Sequence, residues 1–139
     1  MRPARARALR AVLCTGAVAA LVAGCGASAA RLDGARAAGE GFEQALAAGN
    51  HEAACRLLAP ETLGQLEQDE EKACAQALAG EELPKAEAVR ATEVYGRQAM
   101  LRLDGDTLFL SHFGDGWKVV AAGCTPRGER PYQCVLKGG

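Results

Sequence analysis

The sequence predicts an α+β domain, with helices first and an antiparallel sheet second. Three observations carry this. From Ala35 to Gly80 apolar residues recur at helical spacing, and after Leu83-Pro84-Lys85 the period shortens to strand-like alternation. The alternating half is then cut by tight-turn sequences at Asp104-Gly105 and Gly114-Asp115-Gly116.

A leader precedes the domain. Arg2, Arg5, Arg7 and Arg10 form a positive region without an acid. Ala11 to Ala23 is an uncharged run of about 13 residues, the length of a signal-peptide core and short of the ~20 a membrane-spanning helix needs. Val22-Ala23-Gly24-Cys25 resembles the lipobox of bacterial lipoproteins, in which a Cys is thioether-linked to diacylglycerol and becomes the new N-terminus. That resemblance implies a signal peptide over 1–24, a lipid on Cys25 and a place at the extracytoplasmic face of the cell membrane. Plain secretion is the competing reading, because Ala27-Ser28-Ala29 fits the cleavage pattern of soluble exported proteins. Residues 25–34 are rich in small side chains and read as a flexible tether, with a reach of roughly 30 Å. The remainder, 35–139, is long enough for one core and too short for two.

In the helical half, Ala35, Ala38, Phe42, Ala45 and Leu46 mark the first helix, which Gly49 ends. Asn50 caps a second, whose stripe is Ala54, Leu57 and Leu58. Pro60 suits the first turn of a third, carrying Leu63 and Leu66. The acidic run Glu67 to Glu71 lacks the ligand spacing of a calcium loop and reads as a solvated face. Cys74, Ala77 and Leu78 lie on one face of a fourth helix that Gly80 closes.

Strands are expected at Ala88–Tyr95, Gln98–Leu103, Thr107–Phe113 and Trp117–Cys124, with a short last one at Tyr132–Leu136. Asp104-Gly105 signals a type I′ hairpin. If Leu103 faces Asp106, then Leu101 pairs with Leu108 and Ala99 with Leu110 on one face, and Met100 with Phe109 on the other. The leucine face is the one to receive the helices. His112 shares its parity, and a bulge near the second turn would leave Trp117 on either face. Asp104, Asp106 and Asp115 read as turn residues.

Six cysteines are present. Cys14 leaves with the leader and Cys25 is taken by lipid, so Cys55, Cys74, Cys124 and Cys134 remain. An even count in an exported chain favours disulfides, and no C-x-x-C suggests zinc. Cys55 and Cys74 both lie beside helix stripes, which predicts Cys55–Cys74. Cys124 and Cys134 flank a turn-rich loop and form the second bridge.

Removing 1–24 takes away four arginines and no acid, so the formal charge moves from -1 to -5. An acidic body excludes a nucleic-acid partner and electrostatic docking on anionic lipid. Membrane attachment then rests on the acyl chains of Cys25.

Ala47-Ala48-Gly49-Asn50, Ala54-Cys55-Arg56-Leu57-Leu58-Ala59-Pro60-Glu61-Thr62, Ala73-Cys74 and Gly116-Trp117-Lys118-Val119-Val120-Ala121-Ala122-Gly123-Cys124 resemble small actinobacterial lipoproteins. Their domain is similar to the NTF2-like (cystatin-like) cone. The resemblance covers residues 38 to 137 and implies a curved sheet wrapping the helices. It does not imply one activity, since this fold hosts isomerases, hydratases, transport adaptors and scaffolds.

A catalytic site in such a cone needs a carboxylate or His base and a donor such as Tyr. Glu93, Tyr95 and His112 are the strand candidates, and each also has an ordinary structural role. Ser111 and His112 are strand neighbours pointing to opposite faces, so they cannot form a direct pair. The expectation is a non-catalytic binding or protein-interaction module without cofactor or metal, bound to the membrane through Cys25 and open to a protein partner at the cell surface. The alternative is a small apolar-ligand carrier, or an isomerase- or hydratase-like enzyme, using the cone as a pocket.

Overall fold

Four helices precede five strands, in the order the periodicity predicts. The computed structural model describes residues 26–138. The expected signal peptide over 1–24 and the lipid site Cys25 lie outside the described residues.

Helix α1 spans Ala29–Ala47 and corrects the tether boundary, because the expected flexible residues up to Gly34 contain its first turn and more. Ala29, Ala30, Arg31 and Leu32 are good helix formers, and the sheet holds them in place. The Arg31 guanidinium lies over the Trp117 ring, 5.6 Å from its centroid, and donates to the Gly96 carbonyl. One turn on, Gly34 leaves room for the indole, where a Cβ would sit 3.1 Å from Trp117.

Helix α2 is His51–Leu57, and the Asn50 side chain accepts from the Ala53 amide at 3.1 Å, as a cap should. Helix α3 is Pro60–Glu70, with Pro60 in its first turn. Helix α4 is Cys74–Gly80. The acidic run is exposed from Gln68 to Glu71, as a solvated face should be, and Glu67 alone is drawn into the fold. The Glu67 carboxylate accepts from the Cys74 amide at 2.8 Å and so caps the next helix.

Strands β1 (Val89–Tyr95), β2 (Gln98–Leu103), β3 (Thr107–Phe113), β4 (Gly116–Arg127) and β5 (Arg130–Lys137) form an antiparallel meander in sequence order. The β2–β3 register is the predicted one: Ala99 with Leu110, Met100 with Phe109, Leu101 with Leu108. The turn is not type I′, since Gly105 has φ +98° but Asp104 does not have positive φ. Asp104 is instead held in its bend by the passing 85–88 segment. Its amide donates to Ala88 O at 3.0 Å and its carbonyl accepts from Glu87 at 2.9 Å. A Cβ on Gly105 would lie 2.6 Å from the Lys85 carbonyl oxygen, so the passing 85–88 segment requires glycine there.

The last hairpin is longer than expected. Thr125 pairs with Gln133 and Arg127 with Arg130, so most of the supposed loop is strand. A register shift between Thr125 and Arg127 accommodates Pro126. Cys124 is bonded to Cys134 across this pair, and Cys55 to Cys74 between α2 and α4.

The helices cover the leucine face. Phe42, Leu101, Leu108, Leu110 and Val119 are at most 1% exposed and fill the space between the layers. The α2–α3 junction is fixed to β4 by Ala59 N–H donating to Val119 O at 2.8 Å and Thr62 Oγ1 to Val120 O at 2.9 Å.

Candidate functional site

The three strand candidates do not converge on one site, although the Tyr95 hydroxyl donates to Glu93 Oε2 at 3.5 Å. Glu93 pairs with Met100 and Tyr95 with Gln98, on the sheet face away from the helices. There Glu93 is ion-paired with Arg102 at 2.5 Å, and Tyr95 is 72% exposed. His112 faces the helix side, its ring edge-to-face with Trp117 at 5.1 Å. A sheet one backbone thick therefore separates the expected base and donor from the histidine.

The residue that sequence reasoning missed is Glu43. Helix α1 buries Ala35, Gly39, Phe42 and Glu43, a stripe rotated slightly from the one predicted. Gly39 explains the rotation. A Cβ there would meet Leu101 Cδ2 at 2.4 Å, so the glycine lets α1 approach the sheet and carries Glu43, one turn later, inward with it. Glu43 is 7% exposed and its Oε1 has no hydrogen-bond partner.

Behind it lies Asp106, 8% exposed and not the simple turn residue expected. Asp106 Oδ1 accepts from Thr107 N at 2.6 Å and Cys124 N at 2.9 Å, and Oδ2 from Gly123 N at 2.9 Å. Asp104 and Asp115 do behave as turn residues, paired with Arg90 and Lys118 respectively.

The two carboxyl groups divide their roles. Burial raises Asp106 above the usual carboxylate range, and its three backbone donors offset part of that. Glu43 has no such donors. Burial first, and the Asp106 charge second, push it up to about 7. The Asp106 charge is therefore felt at Glu43, which has no amide donors to favour its own charged form.

Glu43 borders a recess of about 440 Å³ between α1, α4 and the 81–88 connection. Its walls are Leu46, Leu78, Leu83 and Pro84, with His51 and Lys85 at the polar side. A shallower recess adjoins it and shares Glu43, Ala47, Ala86 and Glu87. A third, of about 460 Å³, lies between α3 and β5 and carries Asp69, Glu70, Glu81 and Lys137. Among the described residues no group of three or more His, Cys, Asp or Glu is arranged to hold a metal, and no helix is long and apolar enough to cross a membrane.

The chain matches no protein family, no curated protein and no solved structure.

Proposed function

We propose that this chain is a lipid-anchored, extracytoplasmic binding module of the NTF2-like kind, exported by the leader 1–24 and held at the membrane through Cys25. Two bridges that use all four domain cysteines support the oxidising address. The observation that carries binding over catalysis is the setting of the expected base and donor, Glu93 and Tyr95: they lie on the open outer face of the sheet, Glu93 ion-paired with Arg102 and Tyr95 72% exposed. A proton-transfer site needs its groups converging in a pocket that excludes water.

Confinement at the membrane raises the local concentration of the domain for any neighbour, so a modest affinity suffices. The test is extraction of the protein from its own membrane and intact mass spectrometry under native conditions. The expected result is a diacylglyceryl adduct on Cys25, with C25S losing the adduct and leaving the membrane fraction. A C25S chain that stays membrane-bound overturns the anchor.

A second reading has one observation in its favour. Glu43 titrates near neutrality beside apolar walls, which suits a small-ligand carrier or a proton-transfer enzyme. A small molecule retained through extraction and lost in E43Q would establish it in place of the module, and turnover of that molecule would make it an enzyme.

A further inference from the structure

We propose that the recess beside Glu43 binds a small organic cation, a primary or secondary ammonium on a short apolar body, with the ammonium against the Glu43 carboxylate. This deepens the second reading, in its small-ligand carrier form, and rests on it.

Three features specify the ligand. Glu43 Oε1 is buried without a donor, and an unpartnered buried acceptor is destabilising until a ligand supplies one. Leu46, Leu78, Leu83 and Pro84 form walls that suit an apolar body. The charge selects the sign, because the recess carries three carboxyl groups, Glu43, Glu81 and Glu87, against Lys85, with His51 the remaining titratable group on its wall. Asp106 adds negative potential from behind while its own oxygens are taken by backbone amides. An anion would be repelled by this wall. A neutral alcohol would satisfy Oε1 yet leave the potential unused.

Binding a cation favours ionised Glu43, so ligand and proton compete. Glu43 carries its proton below about 7 and must give it up to form the pair. Affinity therefore rises with pH and levels off once the group is ionised.

The experiment is calorimetric titration of the full chain in neutral detergent with cyclohexylammonium chloride, using cyclohexanol and cyclohexanecarboxylate as neutral and anionic isosteres. The expected result is binding of the ammonium alone, tighter by about ten-fold at about pH 8 than at about pH 6. E43Q should weaken it by at least about ten-fold and erase the pH dependence. A47W places an indole at the exposed rim both recesses share, leaves Glu43 intact and should also block binding. It decides the matter if E43Q fails to fold. Equal binding by E43Q, equal binding of cyclohexanol, or no binding of any isostere overturns the proposal. So does an N-acetyl-lysine methylamide that binds as well as cyclohexylammonium, since that would put the cation on a polypeptide. These outcomes leave the membrane anchor to its own test, and chemical conversion of a bound compound would instead overturn the carrier reading in favour of an enzyme.

Discussion

The Asp106 carboxylate accepts the Gly123 amide at 2.9 Å, where β4 bends out of its pairing with β3. Phe109 is the last β3 residue paired to β4, opposite Ala121, and β3 then leaves for its hairpin. Gly123 turns with φ +66°, and its amide and that of Cys124 would face a buried space unpaired. Asp106 supplies the oxygens a strand would have supplied. The same bend sets Cys124 opposite Cys134.

D106A should therefore lower stability by about 3 kcal/mol, since each hydrogen bond to a charged group contributes ~1.5–3 kcal/mol and three are not additive. Urea unfolding measures it. D106N keeps one acceptor oxygen and should cost less. It should also bring the Glu43 pKa down without restoring an ordinary value, because burial is the larger cause. A carbon-detected titration of Glu43 that is unmoved by D106N would break the link between the two groups.

Glu43 makes stability pH-dependent with a definite sign. Its folded pKa, about 7, lies above the ordinary 4.5, so the unfolded chain gives up this proton first as pH rises. The contribution is neutral below about 4.5, grows less favourable towards 7 and then stays constant. The full effect is about 3 kcal/mol. Asp106, also raised, acts in the same direction. E43Q should consequently be more stable than the parent above about pH 7 and lose that advantage as pH falls towards about 4.5. Thermal melts across this range check it, and a constant difference at every pH would show that Glu43 does not titrate there.

Much of this architecture was legible because it follows from local rules. Asn50, Pro60 and the hairpin at Leu103–Asp106 act through their own neighbours, and the β2–β3 register followed from one turn. What was not legible depends on distant contacts. Gly39 reads as a helix weakness until Leu101 is seen beneath it, and Glu43 reads as a solvent residue until Gly39 brings the helix down. Asp106 carries an ordinary turn signature, and only the bend at Gly123, distant in sequence, makes it a buried acceptor. The tether boundary failed for the same reason, because Trp117 was needed to order residues 31 to 34.

The two bridges should differ in what they protect. Each closes a loop, of 19 and 10 positions, that the entropy estimate values at about 3 kcal/mol. C55A/C74A unlinks α2 from α4, both of which line the Glu43 recess region through His51 and Leu78. C124A/C134A loosens only the β4–β5 hairpin. Hydrogen exchange should show faster opening of 51–80 in the first variant and of 123–137 in the second. Uniform acceleration in both would mean that the domain opens as one unit.

On the proposed lipid-anchored reading, Trp117 decides how far the domain can stand from Cys25. With α1 beginning at Ala29, only Gly26, Ala27 and Ser28 separate the helix from Cys25, a span of at most roughly 14 Å instead of the 30 Å a tether through Gly34 would allow. The first turns of α1 are held by Arg31 over the indole and by Gly34 against it. A cation–π contact at such a site contributes ~0.5–1 kcal/mol, and the terminal turns of a helix have little else to oppose fraying. W117A should expose residues 29–34 to rapid amide exchange while 36–46 stay protected, at a core cost of about 3–5 kcal/mol. G34V, which keeps Trp117 but crowds it, should fray the same residues at smaller cost. If both variants leave 31–34 protected, the helix start is intrinsic to its alanines, and the short reach persists without the tryptophan.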